Sequence, residues 1–457
     1  MTGKAPLVQM NEPNPSITKG STFVTNVLPW VICGLAAAFY CYEYLLRITP
    51  GLIVPELQRA FSVNGQYLDA TLVGHLSAFY YYAYTPMQLP VGLLMDRYGP
   101  RWILTIAVFC CAVGTVIFGS TTSWWVAAMG RFAIGFGSAF AFVGVLKLAS
   151  TWLPSDRFAM ISGLTTTLGV IGAMQGNIIL GDLIQKIGWR ETILYSSYIG
   201  FILVPIIWLV VRNSPAHLKG AATQQDPSNC MSYKQLWQEI RTSMTNPQIW
   251  LNGVIAGLLW TPVMVFPELW GKLYLQTIHN FTAEDASRAV TMILLGVALG
   301  APLTGFISDR ARRRRLPLKI GALLSCILML SFMYYPNLTL THVKILLFFI
   351  GVAASVEVIC FAIGRENCSQ SLAGTVVAVT NFLVSSFAIF QVVFAKILDW
   401  TWNGQIVDQA KIYGAQSYQT AMLVLPATAL LAFLLSFALK ETYCRPIVVP
   451  SLDPNKK

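Results

Sequence analysis

The sequence has 457 residues, of which 55% are hydrophobic and only 11% charged, with a formal net charge of +11. Soluble proteins average about a quarter charged, so this composition excludes a soluble enzyme and describes a membrane protein. It also removes the usual meaning of a basic balance, attraction to nucleic acid, because in a bilayer the position of the cations matters more than their sum. The nine cysteines are scattered, mostly inside apolar segments, without a C-x-x-C pair. Neither a disulfide framework nor a metal centre is expected, and buried free thiols are the ordinary reading.

In chain order, residues 1–26 are polar, contain Pro13 and Pro15, and read as a disordered tail without a cleavable signal. A bilayer crossing needs about 20 apolar residues. Twelve such segments follow: 27–49, 67–95, 102–120, 124–151, 158–182, 191–211, 248–271, 286–307, 317–335, 342–363, 372–398 and 417–439. The expected organisation is an N-terminal six-helix bundle over 27–211, a polar linker over 212–247, a C-terminal six-helix bundle over 248–440 and a tail over 441–457. The larger share of the lysines and arginines falls on the side of the N-terminus, the linker and the C-terminal tail. By the positive-inside rule that side is cytoplasmic. The run Arg312-Arg313-Arg314-Arg315 lies between two spans and reads as a topology anchor touching anionic headgroups rather than a nucleic-acid patch.

Gly92-Leu93-Leu94-Met95-Asp96-Arg97-Tyr98-Gly99-Pro100-Arg101 joins the second and third segments. Glycine gives the backbone freedom for a tight reversal, and the arginines hold the turn on the charged side. Gly305-Phe306-Ile307-Ser308-Asp309-Arg310 repeats the Gly and Asp spacing after the eighth segment, at the same interval for both residues. An internal repeat decides architecture before other signals do, and this one makes the chain two related halves.

The G-x-L-x-D-R-x-G-x-R loop, its weaker copy and Arg131-Phe132-Ala133-Ile134-Gly135-Phe136-Gly137 in the fourth segment resemble motifs of the major facilitator superfamily. The fourth-segment glycine comes one place early. The resemblance covers essentially the whole chain. It implies an all-α membrane protein of twelve transmembrane helices in two pseudo-symmetric six-helix bundles, with helices 1, 4, 7 and 10 lining a central cavity. It also implies secondary transport by alternating access, with no enzymatic activity, and the loop residues Gly92, Asp96, Arg97, Gly99, Arg101, Asp309 and Arg310 controlling conformational exchange. Tyr44-x-x-Arg47, the following Pro50, Pro55, Glu56 and Leu57, and Ala373-Gly374-Thr375 leading to Asn381 look like the organic-anion symporter and lysosomal dipeptide transporter branches. The span-five stretch Gly169–Gly176 lacks the Gly-Pro pair of drug/proton antiporters, which argues against multidrug efflux.

A charge near the bilayer centre costs about 2.5–3.5 kcal/mol on insertion scales, so each one needs a partner or a polar cavity. Glu43 and Arg47 stand one helical turn apart, flanked by Tyr40 and Tyr44. Either they neutralise each other for folding, or Arg47 faces the cavity and binds an anion through its bidentate fork. At about 1.5 Å per residue, Glu43 and Arg131 reach similar depths, which leaves a bridge between them open. Lys147 is placed to snorkel to the headgroups, and Glu268 falls near the outer end of the seventh segment, which leaves an interfacial position open to it. Glu357 lies mid-span without a base within a turn and favours its neutral form, as a proton carrier requires; the alternative is a permanently protonated carboxyl hydrogen-bonded to a neighbour. Of Tyr80, Tyr81, Tyr82 and Tyr84, at most two are expected to face a cavity.

The candidate substrate contacts are therefore Arg47, Tyr44, Tyr40, Arg131, Gln175, Trp260 and Asn381, with Asn177 and Gln391 as further polar residues. Glu357, then Glu43, are the candidates for proton coupling. No metal, cofactor or nucleic acid is implied, and no nucleotide-binding loop is present. The expected partners are a small polar solute (an organic anion, amino acid or peptide), protons and the bilayer, for a monomer. Absent sorting signals favour a bacterial inner membrane with both termini cytoplasmic, although Asn280 and Asn337 begin sequons. A non-transporting receptor with this fold, an exporter of the same superfamily and, more weakly, a channel are the competing readings.

Overall fold

The computed structural model describes residues 27–63, 66–153, 158–213, 245–335, 338–368, 373–407 and 410–445. The expected tail 1–26, nearly all of the linker and the last residues of the C-terminal tail lie outside them.

Eleven described helices are long and apolar enough to cross a membrane. They are Leu28–Leu52, Pro100–Ser120, Trp124–Trp152, Thr167–Ile187, Trp189–Val210, Pro247–His279, Ala283–Ala311, Arg315–Tyr334, Leu340–Glu366, Thr375–Trp400 and Ala415–Leu435. The remaining crossing, span two, is broken into Ala70–Met87 and Val91–Tyr98. Pro90 sits at the break and has no N–H to continue the ladder. Gly92 thus lies inside a helix, and the reversal falls instead at Gly99, whose φ of +80° suits a residue without a Cβ.

Spans one to six pack on one another, as do spans seven to twelve: 3 on 4 and 6, and 1 on 5, in the first bundle; 8 on 10, 9 on 12 and 7 on 11 in the second. The bundles meet through spans 1 and 7, 2 and 11, and 5 and 8. Glycines in span five let it pack closely on span one: Gly169 lies against the Tyr40 ring and Gly172 against the backbone of Cys41.

One end of the bundle carries Arg97, Arg101 and Arg310–Arg315 and is called the basic face below. At the opposite face the two halves are locked. Gly51 at the end of span one abuts the backbone carbonyl of Glu268, where any Cβ would collide. Lys272 Nζ donates to Leu52 O at 3.0 Å. Asp399, at the end of span eleven, caps the start of span two, accepting from Thr71 N at 2.7 Å, Ala70 N at 3.3 Å and the Thr71 hydroxyl at 2.5 Å. Tyr413 adds a hydroxyl bond to Asp399 at 2.5 Å and accepts from Ala70 N at 2.8 Å. Lys411 lies 3.6 Å from Asp399 and 3.7 Å from Asp69 of the first half. Two short antiparallel ladders lie on this face, Ser62–Val63 with Gln66–Tyr67 and Ile406–Val407 with Ala410–Lys411.

Candidate functional site

The buried charges converge where the halves meet. In span one, Arg47 pairs with Glu43 through Nε at 3.0 Å and also through Nη2. Glu43 is wholly buried and Arg47 only 6% exposed. Tyr80 of span two donates its hydroxyl to Glu43 and accepts from Arg47 Nε at 3.1 Å. The guanidinium is boxed by aromatic faces, with Tyr44 4.3 Å, Tyr84 5.0 Å, Tyr80 5.4 Å and Tyr81 6.0 Å from its Cζ. Tyr40 stands edge-on to Tyr44 at 5.2 Å. Among the described residues, the bonds of Arg47 to Glu43 and Tyr80 use Nε and Nη2 and not Nη1, and the Tyr84 hydroxyl also lies within reach of the guanidinium.

Tyr80, Tyr81 and Tyr84 are all buried here, and Tyr82 alone of the four is exposed. A 100° advance per residue puts positions 80, 84 and 81 within one arc of roughly 100°, with 82 on the far side.

Arg131 lies near Glu43 in depth but does not bridge to it. It donates from Nη1 to Leu46 O at 2.9 Å and from Nη2 to Arg47 O at 3.4 Å. Pro50 explains this. Leu46 O would ordinarily accept from the N–H four residues on, and Pro50 has none. Arg131 supplies the missing donor, so it braces span one beside Arg47. Gly135, one turn further on, faces the Tyr80 carbonyl closely enough to exclude a Cβ. That contact accounts for the early glycine.

Glu268 is not interfacial. Span seven continues to His279, and Glu268 sits in a π-wound turn, Phe266–Trp270, with 4% exposure. Its Oε2 accepts from Tyr81 of the other half at 2.5 Å and from Gln391 Nε2 at 3.4 Å. Gln391 also donates to Met264 O at 2.8 Å.

The remaining candidates are dispersed. Glu357 ends a 3-10 turn in span ten, is 7% exposed, and among the described residues makes no hydrogen bond or ion pair. Asn381 crosses the halves to donate to Gln88 Oε1 at 2.8 Å, a contact to which Gln88 gave no sequence signal. Trp260 is half-buried between the two main core clusters. Gln175 is exposed on the same helix face as the exposed Ile171 and Ile179, turned away from span one. Asn177, two residues on, is buried.

At the basic face, Arg101 stacks on Trp208 at 4.1 Å and donates to its carbonyl at 2.8 Å. Arg97 is exposed over Tyr98. The Asp96 side chain lies outside the described residues. A Cβ at Gly92 or Gly305 would meet nothing within 4 Å. In the repeat, Asp309 pairs with Arg314 at 2.6 Å, not with Arg310, which is exposed. Arg314 also reaches Glu366 at 2.7 Å and is buried. Arg315, half-buried, donates from Nη2 to Phe437 O at 2.8 Å, so the run holds two structural members beside the exposed Arg312 and Arg313.

The sequence profile of the Major Facilitator Superfamily matches residues 30–392. The chain belongs to that superfamily. Its fold overlays a bacterial homologue of the human lysosomal transporter Spinster, crystallised inward-facing and unoccupied, with a TM-score of 0.74 at 15% identity, covering 93% of this chain and all of that one. Among superfamily relatives, it is 23% identical over 287 residues to the probable galactarate/D-glucarate transporter GudP of Bacillus subtilis (strain 168), covering 57% of this chain and 63% of the relative. It is 24% identical over 408 residues to the membrane sensor protein UhpC of Escherichia coli (strain K12), covering 85% and 89%. The chain spans less than two thirds of the length of the first curated relatives it matches, 52% and 63%.

Proposed function

We propose that this protein is a secondary transporter that moves a small organic anion across a membrane by alternating access. The observation that carries the reading is Arg47: a guanidinium buried at the meeting of the two halves, fixed by Glu43 and Tyr80, with Nη1 left for a ligand. Guanidinium binds carboxylate strongly and directionally. Similarity to a probable sugar-acid transporter supports that class. Tyr40, Tyr44, Tyr84, Asn381 and Trp260 complete the contacts, and Arg131 acts by holding span one.

Protons drive the cycle in this reading. Glu357 is the coupling carboxyl, because it is buried mid-span and, among the described residues, has no cation or hydrogen-bond partner; Glu43, tied to Arg47, is second. The positive-inside rule supports a cytoplasmic basic face, with both termini on the cytoplasmic side of a bacterial inner membrane and the locked face outward. The loop residues Gly92, Asp96, Arg97, Gly99, Arg101 and Asp309 control exchange between states, Asp309 through Arg314.

The test is uptake of sugar acids into liposomes containing the purified protein, with and without an inward proton gradient. Gradient-stimulated uptake in the wild type, lost in Arg47→Lys, supports the proposal. The long match to a membrane sensor favours one competitor, a receptor that binds its ligand without moving it. Saturable binding without uptake would establish that instead.

A further inference from the structure

Glu268 is among the most deeply buried charged residues of the fold. A glutamine could make the same bonds to Tyr81 and Gln391 without the cost of burying a charge. Among the described residues no cation lies within ion-pair distance of it, but unlike Glu357 it has a guanidinium close by, that of Arg47 across the Tyr81 ring. Arg47 is committed to Glu43, and Arg131 to the backbone of span one. Among the described residues both hydrogen bonds to Glu268 end on Oε2 and none on Oε1.

Its position is set from both halves. Gly51, one turn beyond Arg47 in span one, lies against the Glu268 backbone. Tyr81 spans the interval, its ring 6.0 Å from the Arg47 Cζ and its hydroxyl 2.5 Å from Glu268 Oε2. The site thus has a cationic end with a free donor, Nη1 of Arg47, and an anionic end with a free acceptor, Oε1 of Glu268.

We infer that Glu268 is the specificity-determining residue of the site: it selects a monocarboxylate whose distal end carries hydrogen-bond donors, and rejects a dicarboxylate. This rests on the transporter reading, in which Arg47 holds the substrate carboxylate. Hydroxyl or ammonium groups at the far end satisfy Oε1. A plain alkyl end leaves it desolvated and unpaired, which a polar site penalises strongly. A second carboxylate meets a like charge in a low-dielectric setting, the repulsive element that specificity requires. The preferred substrate therefore differs in kind from the diacids in the name of the relative GudP.

The experiment measures binding of four six-carbon acids to the purified full-length protein by calorimetry: gluconate, 6-aminohexanoate, hexanoate and glucarate. In the wild type, gluconate or 6-aminohexanoate should bind at least roughly tenfold more tightly than hexanoate and glucarate; whichever of the two is tighter identifies hydroxyl or ammonium as the donor. Glu268→Gln keeps the shape and the bond from Tyr81 but removes the charge. It should raise glucarate affinity roughly tenfold and weaken the donor-bearing acid by a similar factor. An unchanged ranking in Glu268→Gln, or wild-type binding of glucarate as tight as gluconate, overturns the inference while leaving the transporter reading intact. Wild-type protein that binds none of the four overturns both.

Discussion

Asp399 should govern how often the locked face opens. Its carboxylate closes the gap between halves by capping span two, with Thr71 N at 2.7 Å, the Thr71 hydroxyl at 2.5 Å and Tyr413 at 2.5 Å. Burial and the neighbouring Asp399 hold the Tyr413 hydroxyl above its ordinary range, so it remains a protonated donor throughout physiological pH. A hydrogen bond to a charged group is worth about 1.5–3 kcal/mol, and a carboxylate at a helix N-terminus adds about 0.3–1 kcal/mol. Asp399→Asn retains an acceptor oxygen but loses the charge, and the site is partly exposed. The net loss of closed-state stability is about 2 kcal/mol, or roughly a 30-fold rise in the open fraction. The assay uses a cysteine at Ala395, which packs against Gly74 of span two, in a protein lacking its native cysteines. Its rate of alkylation by an impermeant maleimide reports the open fraction, and Asp399→Asn should raise it by roughly that factor. An equal rate in both proteins, with uptake and thermal stability preserved, would refute the assignment of Asp399 as a latch.

Other outcomes follow from the same geometry. Arg131→Met leaves the Leu46 carbonyl unpaired and should cost about 1–3 kcal/mol in thermal unfolding; Pro50→Ala returns an N–H to that carbonyl, so the double mutant should recover a substantial part, and simple additivity would show that the two are not linked. Glu357→Gln fixes the carboxyl in a neutral form, so counterflow exchange in liposomes should persist while accumulation driven by a pH gradient disappears; survival of both would remove Glu357 from coupling. Asp96→Asn should slow transport while changing equilibrium affinity by less than about threefold, under 1 kcal/mol, and a large loss of binding in a folded protein would contradict its gating role.

The crossings were legible in the sequence because the bilayer imposes a length of apolar helix that can be counted residue by residue, and the duplicated loop exposed the two halves. The exceptions are local. Span two breaks at Pro90, and span seven runs on to His279 through Pro267 in a π-wound turn. Ending that helix too early left Glu268 looking interfacial, when about three helical turns of it remain beyond the residue.

The sequence by itself also determined that Glu43 and Arg47 share a helix face, since a spacing of four is a property of the helix alone. Only the tertiary structure decided what each buried charge touches. Arg131 answers a carbonyl freed by Pro50 on another span, Glu268 answers a tyrosine from the other half, and Gln175 turns outward beside Ile171 and Ile179. Such contacts depend on how helices are rotated and set against one another, and a chain whose spans are apolar on nearly every side carries little periodic signal to fix that rotation.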